Sequence, residues 1–127
     1  MNDTTAGFPP PILVIEDNDA VRDSLVMLLQ GAGYRTTATR DGDHALALLR
    51  RGLRPCLILL DLMMPVKSGW EFRAEQLKDP ALAPIPTAVL SGVTAAPELR
   101  GIVASLPKPI DVDKLLAVVE SHCQGAA

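Results

Sequence analysis

The side chains that could do chemistry together sit where apolar runs end: Glu16-Asp17 after ILVI, Asp61 after LILL, Ser91 after TAVL, and Lys108 just beyond the weaker run IVASL. If folding gathers these ends, three acids, a hydroxyl and an amine share one place. Two carboxylates held about 4 Å apart repel by about 4 kcal/mol at an effective dielectric of about 20. A cluster of three therefore needs cationic compensation or raised pKa values, and Lys108 alone is insufficient. A hard divalent cation with oxygen ligands would satisfy it, and Mg2+ suits a few carboxylates combined with waters and a phosphoryl group. A carboxylate attacks a phosphoryl group poorly unless charge on the transferring oxygens is neutralised, which is work for Mg2+ and a lysine. The pattern points to metal-assisted phosphoryl chemistry.

For the residues to meet, the runs must be neighbouring strands that point the same way. ILVIED and CLILLD are continuous apolar runs ending in acids, the pattern of strands covered on both faces. YRTTAT alternates, with Tyr34, Thr36 and Ala38 opposite Arg35, Thr37 and Thr39, as an edge strand does. TAVLS reads as a fourth strand and IVASL as a fifth. Between them, Asn18 can cap a helix carrying Val21, Leu25, Leu28 and Leu29 at helical spacing, with stop signals at Gly31 and Gly33. Asp43 is the expected cap of a second helix, with Ala45, Leu48 and Leu49 on one face and Gly52 after it. A third helix is predicted from Ser68 to about Lys78, and a final one capped by Asp111 with the stripe Val112, Leu115, Leu116 and Val119. Alternating strands and helices in so short a chain predict an α/β fold: one doubly wound parallel sheet with helices on both faces, which collects ligands at the strands' carboxyl ends.

With 127 residues, 48% of them hydrophobic, the chain can form one domain with a real core. Residues 1–10 are polar, contain Gly and Pro and are non-periodic, and are expected to form a flexible tail ahead of a domain over 11–124. A net charge of −3 with no run of Lys or Arg argues against direct binding of nucleic acid. No apolar stretch is long enough for a membrane span, and the first residues lack the pattern of a signal peptide, so a cytoplasmic protein is expected. Cys56 and Cys123 fit neither a C-x-x-C pair nor a metal-ligand spacing, and Cys56 reads as a small core residue. Met63 and Met64 read as packing residues and Trp70 as a partly buried anchor near the acids, while His44 and His122 read as surface residues rather than phosphate donors.

Four stretches, in order and each at a strand end, give the chain a family likeness: Glu16-Asp17, DLMMPVKSG from Asp61 to Gly69, LSG from Leu90 to Gly92, and Lys108-Pro109. Over about residues 11 to 123 the chain resembles the receiver domains of two-component response regulators. The resemblance implies a flavodoxin-like sheet of strand order 2-1-3-4-5. It implies that Asp61 accepts a phosphoryl group from a phosphohistidine donor, either a sensor histidine kinase or a histidine phosphotransfer protein. Asp17, Asp61 and the backbone carbonyl of Met63 would bind Mg2+, and Glu16 would act through water. Ser91 would hydrogen-bond the phosphoryl group, Lys108 would offset its charge, and Pro109 would follow a cis peptide bond that turns Lys108 inward.

The chain departs from the family pattern in two ways. Glu16-Asp17 stands where Asp-Asp is commoner. The segment from Gly92 to Leu106, broken by Pro97 and Gly101, is noticeably short, so the fourth helix is expected to be truncated or irregular. Ser105 occupies a position often aromatic in relatives, which calls into question the coupling of a hydroxyl shift to an aromatic one. Signalling through a different face, or onward passage of the phosphoryl group, is the matching expectation. Apolar Met63 and Val93 flank the path of attacking water, so a slowly hydrolysed phosphate is a further one.

The leading reading is a single-domain response regulator that is not an enzyme, catalysing only its own phosphorylation and autodephosphorylation, with homodimerisation left open. Two alternatives compete. An aspartyl-phosphate phosphohydrolase would carry a second Asp where Met63 stands and would need a cap that the length does not allow. A receiver-like interaction module that works without phosphorylation would not need Asp61, Asp17 and Lys108 intact.

Overall fold

The computed structural model describes residues 9–64, 67–92 and 101–125. Five strands, β1 (Ile12–Ile15), β2 (Thr36–Thr39), β3 (Leu57–Asp61), β4 (Thr87–Ser91) and β5 (Ala104–Pro107), alternate with α1 (Asp19–Gly31), α2 (Gly42–Arg50) and α3 (Gly69–Lys78), and α4 (Val112–His122) closes the chain. The strands form one parallel sheet in the order β2-β1-β3-β4-β5, so the order reverses between β1 and β3. This is the flavodoxin-like sheet implied by the sequence. The short fourth helix expected between Gly92 and Leu106 falls largely on residues 93–100, outside the described residues, as do Val93 and most of the expected tail.

The continuous apolar runs of β1 and β3 follow from coverage on both faces. Leu13, Ile15, Ile58, Leu60 and Val89 point to one side and pack with Ala45, Leu46 and Leu49 of α2 and Phe72 of α3. Ile12, Val14, Leu57, Leu59, Ala88 and Leu90 point to the other and pack with Leu25 and Leu29 of α1 and Leu115 and Val119 of α4. Burial of each such Leu or Ile contributes about 1.5–3 kcal/mol relative to exposure, so the strand tips are held by the most strongly buried part of the molecule. β2 is the edge strand that its alternation predicts, with a mixed burial pattern.

Asn18 caps α1 by accepting a hydrogen bond from the Val21 backbone N–H, and Ser68 and Glu71 form a reciprocal capping box on α3. Asp111 caps α4 as expected. α2 differs from its expectation: the cap is Asp41, whose extended backbone (φ −154°) lets its side chain accept from His44 N–H at 2.7 Å, while Asp43 lies inside the first turn. In the α4 stripe, Leu115 and Val119 are buried but Val112 is exposed, because it faces an open groove beside α1 rather than the sheet.

Two polar residues of α3 are buried without any sequence expectation. Gln76 is fully buried and donates to the carbonyls of Leu82 and Ile85, and Arg73 donates to Gln76 and to Thr87. They satisfy a connection that folds back under the helix on its way to β4. The cysteines also correct the sequence reading: Cys56 and Cys123 form a disulfide with Cα atoms 5.4 Å apart, across 67 positions of sequence. No helix among the described residues is long and apolar enough to cross a membrane.

Candidate phosphoacceptor site

β1 and β3 are neighbours in parallel register, with Ile15 opposite Leu60, so Glu16 and Asp61 leave the sheet side by side. On the other flank of β3, Asp61 is in register with Leu90, and Ser91 with Pro107, so β4 and β5 carry Ser91 and Lys108 to the same edge. Carboxylate oxygens of Glu16, Asp17 and Asp61 lie within 4.8 Å of one another. Lys108 Nζ lies 3.1 Å from Glu16 Oε1 and 3.3 Å from Asp61 Oδ1, and its side chain is mostly buried. The Lys108–Pro109 peptide bond is cis, and Lys108 N–H donates to the Ser91 carbonyl at 2.7 Å.

Glu16, Asp61 and Ser91 are almost wholly buried. Burial, reinforced by the hydrogen bond to Asp61 and by its charge, pushes the Glu16 carboxyl up to about 7. Burial alone would lower the Lys108 ammonium, yet the Glu16 and Asp61 carboxylates together hold it above the ordinary lysine range. One ammonium among three acids leaves the donor set short of positive charge. Hard oxygen ligands on rigid strand ends fit a small divalent cation such as Mg2+.

The supports of this edge are local and specific. A Cβ on Gly69 would stand 2.6 Å from the Asp61 carbonyl oxygen and 2.6 Å from Leu62 Cα, so only glycine allows α3 to start against the end of β3. Gly69 N–H also donates to the Leu62 carbonyl. Met63 N–H donates to Asp61 Oδ1 at 3.1 Å, which fixes the loop carrying the Met63 carbonyl. The Met63 side chain does not pack: it is 61% exposed, whereas Met64 is buried. Trp70 lies in the first turn of α3 and is 40% exposed, more open than the anchor expected.

Arg22 and Thr39 were missed in the sequence. Arg22 Nη1 donates to the Glu16 carbonyl at 3.0 Å while its other amine group pairs with Asp19. The Thr39 carbonyl accepts from Glu16 N–H, so β2 and α1 hold the acid pair's backbone from two sides. An arginine six positions after Glu16 on a helix was the available signal. His44 is exposed as expected, whereas His122, on the last turn of α4, is half-buried with its Nδ1 3.0 Å from the Val118 carbonyl.

A family model described as the response regulator receiver domain matches residues 12–120. The polar-differentiation response regulator DivK of Brucella anthropi is 34% identical over 120 residues, which cover 91% of this chain and 97% of that protein. The DNA-binding dual master transcriptional regulator RpaA of Synechocystis is 33% identical over 117 residues, covering 88% of this chain but 48% of RpaA, so the chain spans about half the length of that relative. Among solved structures, the chemotaxis protein CheY4 of Vibrio cholerae superposes with a TM-score of 0.79 at 26% identity, over 89% of this chain and 98% of that one.

Proposed function

Because the chain belongs to the response regulator receiver domains, we propose that it is a cytoplasmic phosphoacceptor of a two-component system or phosphorelay, with a domain over residues 11–124 and Asp61 as the acceptor. The observation that carries the reading is the meeting of Glu16, Asp17 and Asp61 with Lys108 at the strand ends. The Asp61 carboxylate oxygen attacks the phosphorus of a phosphohistidine on a sensor kinase or phosphotransfer protein. A P–O bond forms, the P–N bond breaks, and the imidazole leaves with the bonding pair.

Lys108, already 3.3 Å from Asp61 Oδ1, offsets the charge that collects on the phosphoryl oxygens. Ser91, at the tip of β4, donates its hydroxyl to one of them once the acyl phosphate has formed. Asp17, Asp61 and the Met63 carbonyl, with Glu16 through water, would hold Mg2+, which when bound neutralises further charge on the transferring group. An apolar groove of about 390 Å³ between α1 and the segment Lys108–Val112 reaches Lys108 and suits a helical donor domain. The protein would act on no other substrate, its chemistry being limited to its own phosphorylation and dephosphorylation. Exposed, apolar Met63 where a phosphohydrolase would place its acid/base Asp supports that limit.

Incubation with acetyl phosphate and Mg2+, read by intact mass, tests the proposal. A single phosphoryl increment that is lost in Asp61→Asn is expected, and an increment that persists in Asp61→Asn removes Asp61 as the acceptor.

A further inference from the structure

The acid edge lies at the carboxyl ends of the strands, and the opposite edge of the sheet carries a different chemistry. Cys56 immediately precedes β3, and Cys123 is the residue that ends α4. α4 runs back along the sheet from the Lys108 edge, so its last turn arrives where the strands begin. There the two Cα atoms stand 5.4 Å apart, inside the range that a disulfide spans without backbone movement. Both cysteines are partly exposed, so a small thiol can reach the sulfurs.

The bond joins the start of β3 to the end of α4, where both cysteines pack partly against one core. Cys56 N–H donates to the Pro11 carbonyl, and its sulfur lies 3.5 Å from the carbonyls of Pro10 and Pro11, at the start of β1. Of α4, only Leu115 and Val119 are buried, and Val119 is a full turn short of Cys123. Leu116, Val118 and Cys123 pack partly against the same core, so the cross-link adds a covalent tie to a helix end held by half-buried contacts.

We propose that Cys56 and Cys123 are a reversible thiol–disulfide site that clasps the end of α4 to the start of β3 and is opened by dithiol reductants. In the opening step a thiolate of the reductant attacks one sulfur, the protein S–S bond breaks, and a mixed disulfide forms. The second reductant thiol displaces it, so two electrons and two protons pass to the protein and the reductant leaves as a disulfide. Because the clasp closes a loop of 67 positions, opening it frees much chain entropy in the unfolded state. It also sits at the far end of the sheet from Asp61, so its state governs stability rather than the geometry of the acids.

The test uses the full chain, purified in air. Alkylation without denaturant, read by intact mass, is expected to add nothing before treatment and two labels after dithiothreitol. The melting temperature should fall on reduction by on the order of 10 °C and return after treatment with oxidised glutathione. Cys123→Ser should melt near the reduced protein and ignore dithiothreitol. Two alkylated thiols after treatment with oxidised glutathione, a disulfide-linked dimer, or an unchanged melting temperature on complete reduction would each overturn the proposal.

Discussion

Lys108 Nζ stands 3.3 Å from Asp61 Oδ1, though 47 positions of sequence separate the two residues. The contact exists because β3, β4 and β5 are adjacent parallel strands, and with the one to Glu16 it gives two of the three clustered acids a shared cation before any ligand arrives. Lys108→Ala removes that cation and leaves Asp61 and Glu16 buried without it. Transfer from acetyl phosphate is expected to slow by on the order of 10²-fold, the cost of losing one preorganised group that stabilises developing charge. Initial rates followed by intact mass check this, with the Asp61 acceptor still intact in the variant.

The Glu16 carboxyl, pushed up to about 7 from an ordinary 4.5, makes metal-free stability depend on pH. An acid whose pKa is higher folded than unfolded keeps its proton more tightly in the folded state. Its stabilising contribution is therefore whole below about 4.5 and is lost as the pH rises through about 7. Unfolding free energies from urea titrations in EDTA should fall across that window, by a few kcal/mol at most, since a tenfold change in proton affinity is worth about 1.4 kcal/mol. Glu16→Gln should flatten the dependence. Added Mg2+ should raise the midpoint more at pH 8 than at pH 5.

Gly69→Ala should be severely destabilising for a surface-adjacent helix start. The new methyl meets the Asp61 carbonyl and Leu62 Cα at 2.6 Å, and both are backbone atoms that cannot swing aside. A loss of about 1–3 kcal/mol in urea unfolding is expected, as for an overpacked site. Phosphorylation should weaken with it, because the atoms displaced belong to the acceptor strand.

Gln76→Leu keeps the side chain's bulk but strands the Leu82 carbonyl, which Gln76 satisfies at 3.0 Å, and leaves the Ile85 carbonyl with the Thr87 hydroxyl alone. Unfolding free energy should drop by about 2 kcal/mol or more. The far edge of the molecule is affected, so phosphorylation of the folded protein should persist.

Most of this architecture is legible in the residues themselves. β1 and β3 announce themselves as unbroken apolar runs because helices cover both faces of the sheet, and Asn18 and Asp111 are caps that polar side chains before apolar periods reveal. What escaped the sequence depends on distant parts of the chain. Asp41 rather than Asp43 caps α2 because its extended backbone lets its side chain accept from the His44 backbone N–H. Arg73 and Gln76 look like a solvated face of α3 until the following connection folds beneath them. Cys56 and Cys123 pair only because α4 returns to the starting edge of the sheet. The acids and the lysine could be proposed as a group because each closes a strand, but their separations come from the strand order alone.

Mapping the phosphorylated residue tests the central claim most directly. Borohydride reduces an aspartyl phosphate to homoserine, so the phosphorylated chain is reduced, digested and sequenced by mass spectrometry. The account predicts homoserine at position 61 alone, dependent on Mg2+ during phosphorylation. Homoserine at another aspartate, or phosphate retained on His44 or His122 with Asp61 unmodified, would contradict it.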